Sequence, residues 1–204
     1  MEQVELKLQL SQKDYSKIQN KYHFGDADLD TLKQVGEHLL RIAKPKLFYD
    51  RADMVYVILS LGSAVDCLQD DYSAMGKMIE SYMVECISME LLIQAYEQTG
   101  EIIHADTGMW LNEFSFLGDK YPLTMMDDIF RRLQPEEVSF NQAYMMTPKK
   151  TVVFVSHLQK DRKLSACHIC RNCSNVHCAN RLDESIKTMP YGYQRILGNG
   201  VKKE

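Results

Sequence analysis

The sequence predicts an α+β fold: a single domain of mostly antiparallel sheet packed with helices, built around a long central helix. Three observations carry this expectation. Residues 54–61, Met-Val-Tyr-Val-Ile-Leu-Ser-Leu, form a short continuous apolar run rich in β-branched and aromatic side chains and closed by Gly62, the pattern of a buried strand. A long stretch of helical periodicity follows from Tyr72 to Gln98. Late in the chain, two strand-like segments, Val138–Met146 and Thr151–His157, are joined by Thr147-Pro148-Lys149-Lys150, a connection short enough for a hairpin. Early helices, one strand, a long helix and a late hairpin together argue α+β.

The elements follow in order. Residues 11–24 read as a short helix capped by Ser11, with Tyr15, Ile18 and Tyr22 on one side and Gly25 as the stop. A second helix starts after Asp28, where Leu29, Leu32, Val35, Leu39 and Ile42 recur at helical spacing until Pro45, so it should lie across a core. His38 on it is expected to be packed or exposed rather than catalytic. The long helix carries Met75, Met78, Ile79, Tyr82, Met83, Cys86, Ile87 and Leu91. Seven of the twelve methionines fall between Met75 and Met126, a row expected to be adaptable core. Cys67 and Cys86 are expected to be buried small hydrophobes. Residues 108–122 are dense in aromatics and contain Gly118 and Pro122, which suggests a packed loop of the kind that holds ligands. A helix from Leu123 to Leu133 then presents Met126, Ile129, Phe130 and Leu133.

With 204 residues, 45% hydrophobic and 25% charged, the chain is long enough for one well-cored domain, expected over 1–160, followed by a cysteine-rich segment over 161–204. No apolar run reaches the length of a bilayer span, and the start has neither the basic end nor the apolar centre of a signal peptide, so a cytoplasmic protein with no membrane partner is expected. A net charge of −4 argues against the broad basic surface that drives nucleic-acid binding. Between Thr147 and Arg181, seven basic residues face one acid, Asp161, yet Phe154 is the single aromatic among them, which makes nucleic acid a poor partner. Lys149, Lys150, Arg171 and Arg181 would bias the local potential toward thiolates or an acidic protein. There is no G-x-G-x-x-G, no Walker-type loop and no H-E-x-x-H, and the six histidines are scattered, so no catalytic residue is assigned. Asp127-Asp128 beside Arg131-Arg132 reads as an exposed helix face with intrahelical ion pairs.

Cys167, Cys170, Cys173 and Cys178 lie within twelve residues. In a reducing compartment such crowding points to metal coordination or redox chemistry rather than disulfides. The spacing of two, two and four residues suits tetrahedral zinc or an iron–sulfur cluster and does not choose between them. His168 or His177 would also serve as a zinc ligand.

The order of motifs resembles the stand-alone relatives of the S-adenosylmethionine-binding activation domain of cobalamin-dependent methionine synthase. The resemblance runs through Tyr22-His23-Phe24-Gly25, Leu59-Ser60-Leu61-Gly62, the helix from Glu80 to Glu97, Gly118-Asp119-Lys120-Tyr121-Pro122-Leu123 and Ile129-Phe130-Arg131-Arg132-Leu133. Its most specific part is 140–152, which looks like the family's Leu-Thr-rich strand, Met-x-Pro turn and following strand, and Cys170, Cys173, Cys178 and Arg181 match a family-like tail. The resemblance implies an accessory protein that binds S-adenosylmethionine through Gly118, Tyr121, Pro122 and Pro148. It would dock on methionine synthase or another corrinoid-carrying protein, with an electron-donor protein as a further partner. There it would support reductive remethylation of the partner's cobalamin, and hence methionine biosynthesis. If it counts as an enzyme, it is as part of that methyltransferase's reactivation system. In the family an Arg-x-x-x-Gly-Tyr stretch contacts S-adenosylmethionine; the corresponding Leu111–Tyr121 here contains no arginine. The residues alone leave a second reading open, a non-catalytic protein-interaction module stapled by zinc.

Overall fold

A computed structural model of the chain describes residues 1–118 and 120–161. Its frame is a five-stranded antiparallel sheet in which β1 (Glu2–Glu5), β2 (Lys46–Arg51), β3 (Val55–Ser60), β8 (Thr151–Ser156) and β5 (Ser115–Phe116) lie side by side in that order. β3 sits at the centre and every residue of it is buried. Because successive strand side chains point to opposite faces, the sheet feeds two cores. Leu47, Tyr49, Val55, Val57, Leu59 and Phe154 join one, while Phe48, Tyr56, Ile58, Val153 and Val155 join the other.

The first face is covered by α1 (Gln12–Tyr22), α2 (Leu29–Ile42), α3 (Ser63–Ala74) and α4 (Met78–Thr107), which bury Ile18, Leu32, Leu39, Val65, Met83, Ile87 and Leu91 against it. The opposite face is covered by α5 (Met125–Leu133) through Met126, Ile129 and Leu133. Two small ribbons complete the fold: β4 (Trp110–Leu111) with β9 (Leu158–Gln159), and β6 (Ser139–Phe140) with β7 (Met146–Thr147). The α+β class, the antiparallel sheet and the long helix are as the sequence predicts.

Local chemistry explains the helix ends. Ser11 closes a capping box: its N–H donates to Asp14 Oδ2 at 2.7 Å, and Asp14 N–H donates back to Ser11 Oγ at 3.4 Å. This network holds the Asp14 carboxyl below its ordinary pKa, chiefly through the Ser11 side-chain hydrogen bond. α4 ends where Gly108, at φ +69°, donates its N–H to His104 O at 2.8 Å, a conformation that favours glycine.

Several expectations are corrected. β1 and β2 were not legible, since each is short and bracketed by charged residues. The helix expected from Tyr72 is two: the chain turns at Met75-Gly76-Lys77, with Gly76 at φ +73°, between α3 and α4. Methionines on both sides of that turn mimic one continuous apolar stripe, yet Met75 and Met78 are exposed. The late hairpin does not form as expected. Asn141 Oδ1 accepts the N–H groups of Ala143 at 2.9 Å and Met145 at 3.0 Å, which folds 138–146 back on itself so that β6 pairs with β7. β8 instead pairs with β3 and β5. Cys86 is buried as expected, but Cys67 is exposed. Among the described residues, no helix is long and apolar enough to cross a membrane.

Candidate functional site

Gly118, Tyr121 and Pro122 form one tight turn leading from the edge strand β5 into α5. Gly118 has φ +93° and donates its N–H to Tyr121 O at 2.7 Å, and a Cβ there would meet Leu123 Cδ2 at 3.3 Å. That N–H is therefore already satisfied by the turn. Tyr121 is half-buried among the residues packed on the α5 core, alongside Leu117 and Met125. Lys120 Nζ lies 5.8 Å from the Tyr121 ring centre and is paired with Glu113 at 2.5 Å. Pro122 is exposed, and its carbonyl accepts the N–H of Met125 at 3.1 Å, starting α5.

Pro148 belongs to a different structure. The Thr147–Pro148 bond is cis, Pro148 is buried, and the residues after it fasten the start of β8 to the helices of the first face. Lys149 N–H donates to Asp66 Oδ2 at 2.7 Å while its Nζ meets Asp70 at 3.1 Å. Lys150 Nζ, nearly buried, pairs with Glu85 at 2.5 Å, and Thr151 Oγ1 donates to Ser60 Oγ at 2.8 Å. Both lysines expected to bias the local potential are thus neutralised by acids. The β5–β8 register, Ser115 opposite Val155 and Phe116 opposite Phe154, runs on to put Gly118 level with the start of β8. The turn and Pro148 therefore share one end of the sheet; the turn packs on the α5 side, and the two lysines after Pro148 reach the helices of the first face.

The α5 face also bears an open depression of about 460 Å³, lined by Tyr56, Met125, Asp128, Arg131 and Arg132. Arg132 lies 4.8 Å above the Tyr56 ring and donates from Nη1 to Asp50 Oδ2 at 2.8 Å. Asp50 also receives the N-terminal ammonium at 3.2 Å, and the hydrogen bond from Arg132 is the main cause holding its carboxyl below the ordinary range. Tyr56 donates to Asp53 at 2.8 Å; burial, then that bond, push its phenol upward. Arg131 pairs with Asp128 at 2.8 Å, both largely exposed, which is the intrahelical ion pair the sequence suggests. The depression was missed because Asp128, Arg131 and Arg132 read as a solvated helix face and Met125 as core; their partner, Tyr56, is hidden in an apolar strand far away in sequence. A conspicuous buried acid, Glu90, is fully partnered by Lys21 Nζ at 2.5 Å and Tyr22 Oη at 3.0 Å, tying α1 to α4.

Cys167, Cys170, Cys173 and Cys178 lie outside the described residues. Among the described residues, no cluster of three or more histidine, cysteine, aspartate or glutamate side chains is arranged to hold a metal ion.

No family model matches the chain, and no curated protein matches it. Among solved structures it is similar to the crystal structure of the MetH reactivation domain bound to AdoHcy, at 12% identity and a TM-score of 0.47, with 81% of each chain covered.

Proposed function

We propose that this chain is an accessory protein of a corrinoid methyltransferase: it binds S-adenosylmethionine on the α5 face and supports reductive remethylation of a cobalamin carried by methionine synthase or another corrinoid protein. One observation supports the reading above others. Leu117 and Tyr121 at the turn, Ile129, Phe130 and Leu133 on α5, and Phe140, Tyr144 and Met146 from the most specific segment all pack in one cluster beside the depression. Apart from Leu117, these residues carry the family resemblance, and although far apart in sequence they share one packed cluster.

The donor set suits the ligand's chemistry. Arg131 offers the guanidinium that the Leu111–Tyr121 stretch lacks, and its exposed pair with Asp128 would open for the ligand's carboxylate, the natural bidentate partner of a guanidinium. Asp128 suits its ammonium or ribose hydroxyls, and Met125 offers an apolar, polarizable surface to the adenine. In this proposal Gly118, Tyr121 and Pro122 shape the wall where α5 begins, and Pro148 acts from the same end of the sheet by fixing how β8 enters. S-adenosylmethionine supplies the methyl group when bound, and the chain's own task is to orient it and exclude competing partners. Cys167, Cys170, Cys173 and Cys178 are proposed to hold zinc or an iron–sulfur cluster at the side where an electron-donor protein approaches.

The reading is tested by mixing the full chain with a corrinoid protein in the Co(II) state, a one-electron reductant and S-adenosylmethionine, and following the cobalamin spectrum. Growth of methylcobalamin that depends on this chain supports the proposal. Identical spectra with and without the chain, together with no S-adenosylmethionine binding, would sink it.

A further inference from the structure

Seven large apolar side chains stand exposed among the described residues, and four of them fall within eight positions: Met75, Met78, Ile79 and Tyr82, each more than half exposed. Met78, Ile79 and Tyr82 share one side of the first turns of α4, and Met75 stands in the turn just before them, so an apolar patch runs from the α3–α4 turn onto the start of α4. Phe24 extends it, its ring centre 5.6 Å from that of Tyr82. Isolated exposed apolar residues need no explanation, but a contiguous stripe on one helix face marks an interaction surface. Two of its members, Met75 at the turn and Met78, are unbranched side chains that adapt to different apolar partners.

The charges at its ends say what kind of partner fits. Asp71, exposed and one helical turn before Met75, flanks one end. Asp26, two residues beyond Phe24, flanks the other, where it accepts a hydrogen bond from Gln19 at 3.1 Å. Neither takes part in an ion pair among the described residues. Glu80, between the apolar side chains, is by contrast tied to Lys77 at 3.8 Å. We propose that this stripe docks the apolar face of an amphipathic helix from a partner protein, with a lysine or arginine of that helix meeting Asp71 at one end and Asp26 at the other. A second copy of the chain fits less well, since a two-fold contact would set these acids against each other. The surface lies on the helical side of the sheet, opposite the α5 face, and the inference does not depend on what α5 binds.

The test uses the full chain and a fluorescein-labelled amphipathic peptide of leucine and lysine, with a leucine and glutamate peptide of the same pattern as control. Anisotropy should show saturable binding of the lysine peptide, weakened at least about tenfold in Met78→Gln/Ile79→Gln, whose side chains face solvent and leave the core untouched. Asp26→Asn/Asp71→Asn should weaken binding a few-fold and flatten its salt dependence. Unchanged urea midpoints confirm that the variants fold. Equal binding by wild type and Met78→Gln/Ile79→Gln, or by the two peptides, overturns the proposal. So does a concentration-dependent dimer in sedimentation that these substitutions abolish, which would make the occupant a second copy.

Discussion

Glu85→Ala should destabilise the protein by more than Lys150→Met, although the two substitutions remove the two halves of one ion pair. The Lys150 side chain is 10% exposed and the Glu85 side chain 38%, with 2.5 Å between Nζ and Oε1. Removing Glu85 strands an ammonium where little water reaches it. Breaking a fully buried pair this way costs about 3–5 kcal/mol, and the partial exposure of Glu85 scales the expectation here to about 2 kcal/mol. Lys150→Met keeps the apolar stem and deletes the charge that would be stranded. Glu85 then retains solvent and the hydrogen bond from Gln69 Nε2 at 3.2 Å, so the cost should stay below about 1 kcal/mol. Urea unfolding of the two single variants and the double variant measures the asymmetry. The double variant should be more stable than Glu85→Ala alone, because the stranded charge is gone. Equal costs, or Lys150→Met as the worse, would refute the view that desolvation of the lysine dominates this clamp.

Gly36→Ala should destabilise despite improving helix propensity, since the new Cβ would lie 2.6 Å from Tyr15 Cε1 and Oη; overpacking of about 1–3 kcal/mol outweighs a gain of about 1 kcal/mol, and Tyr15→Phe should relieve part of it in urea titrations. In native protein, alkylation mapped by mass spectrometry should mark exposed Cys67 well before Cys86, which is buried and whose thiol is pushed up to about 11, chiefly by burial. Arg132→Met should lower stability at neutral pH. Asp50 has a folded pKa below its unfolded one, so its stabilisation is complete above the unfolded value and is lost as pH falls through the folded value; the deficit of the variant should therefore shrink below about pH 4 in a pH series of unfolding curves.

The fold was legible where burial and pattern coincide. β3 has six buried residues, and its continuous Val-Tyr-Val-Ile-Leu run, β-branched and closed by Gly62, reads as a buried strand. Ser11 and α2 were likewise readable, because a cap and a 3.6-residue period are local signals. What failed depends on contacts made elsewhere. β2 reads as a charged connection until β1 and β3 bracket it, and Val138–Met146 reads as a strand until Asn141 bends it. Gly118, Tyr121 and Pro122 lie in one turn because they are neighbours in sequence, whereas the setting of Pro148 depends on Lys149 and Lys150 after it, which Asp66, Asp70 and Glu85 hold from distant helices. The depression needed Tyr56 beside Arg132, a pairing no local spacing announces.

Calorimetric titration of the full chain with S-adenosylmethionine is the measurement that decides whether the proposed site on the α5 face binds this ligand. Saturable binding at one site is expected, weakened about tenfold or more in Arg131→Ala, which removes the charged partner of the ligand's carboxylate, and unchanged in Met78→Gln on the far side. No saturable heat, or binding that Arg131→Ala leaves intact, would contradict it.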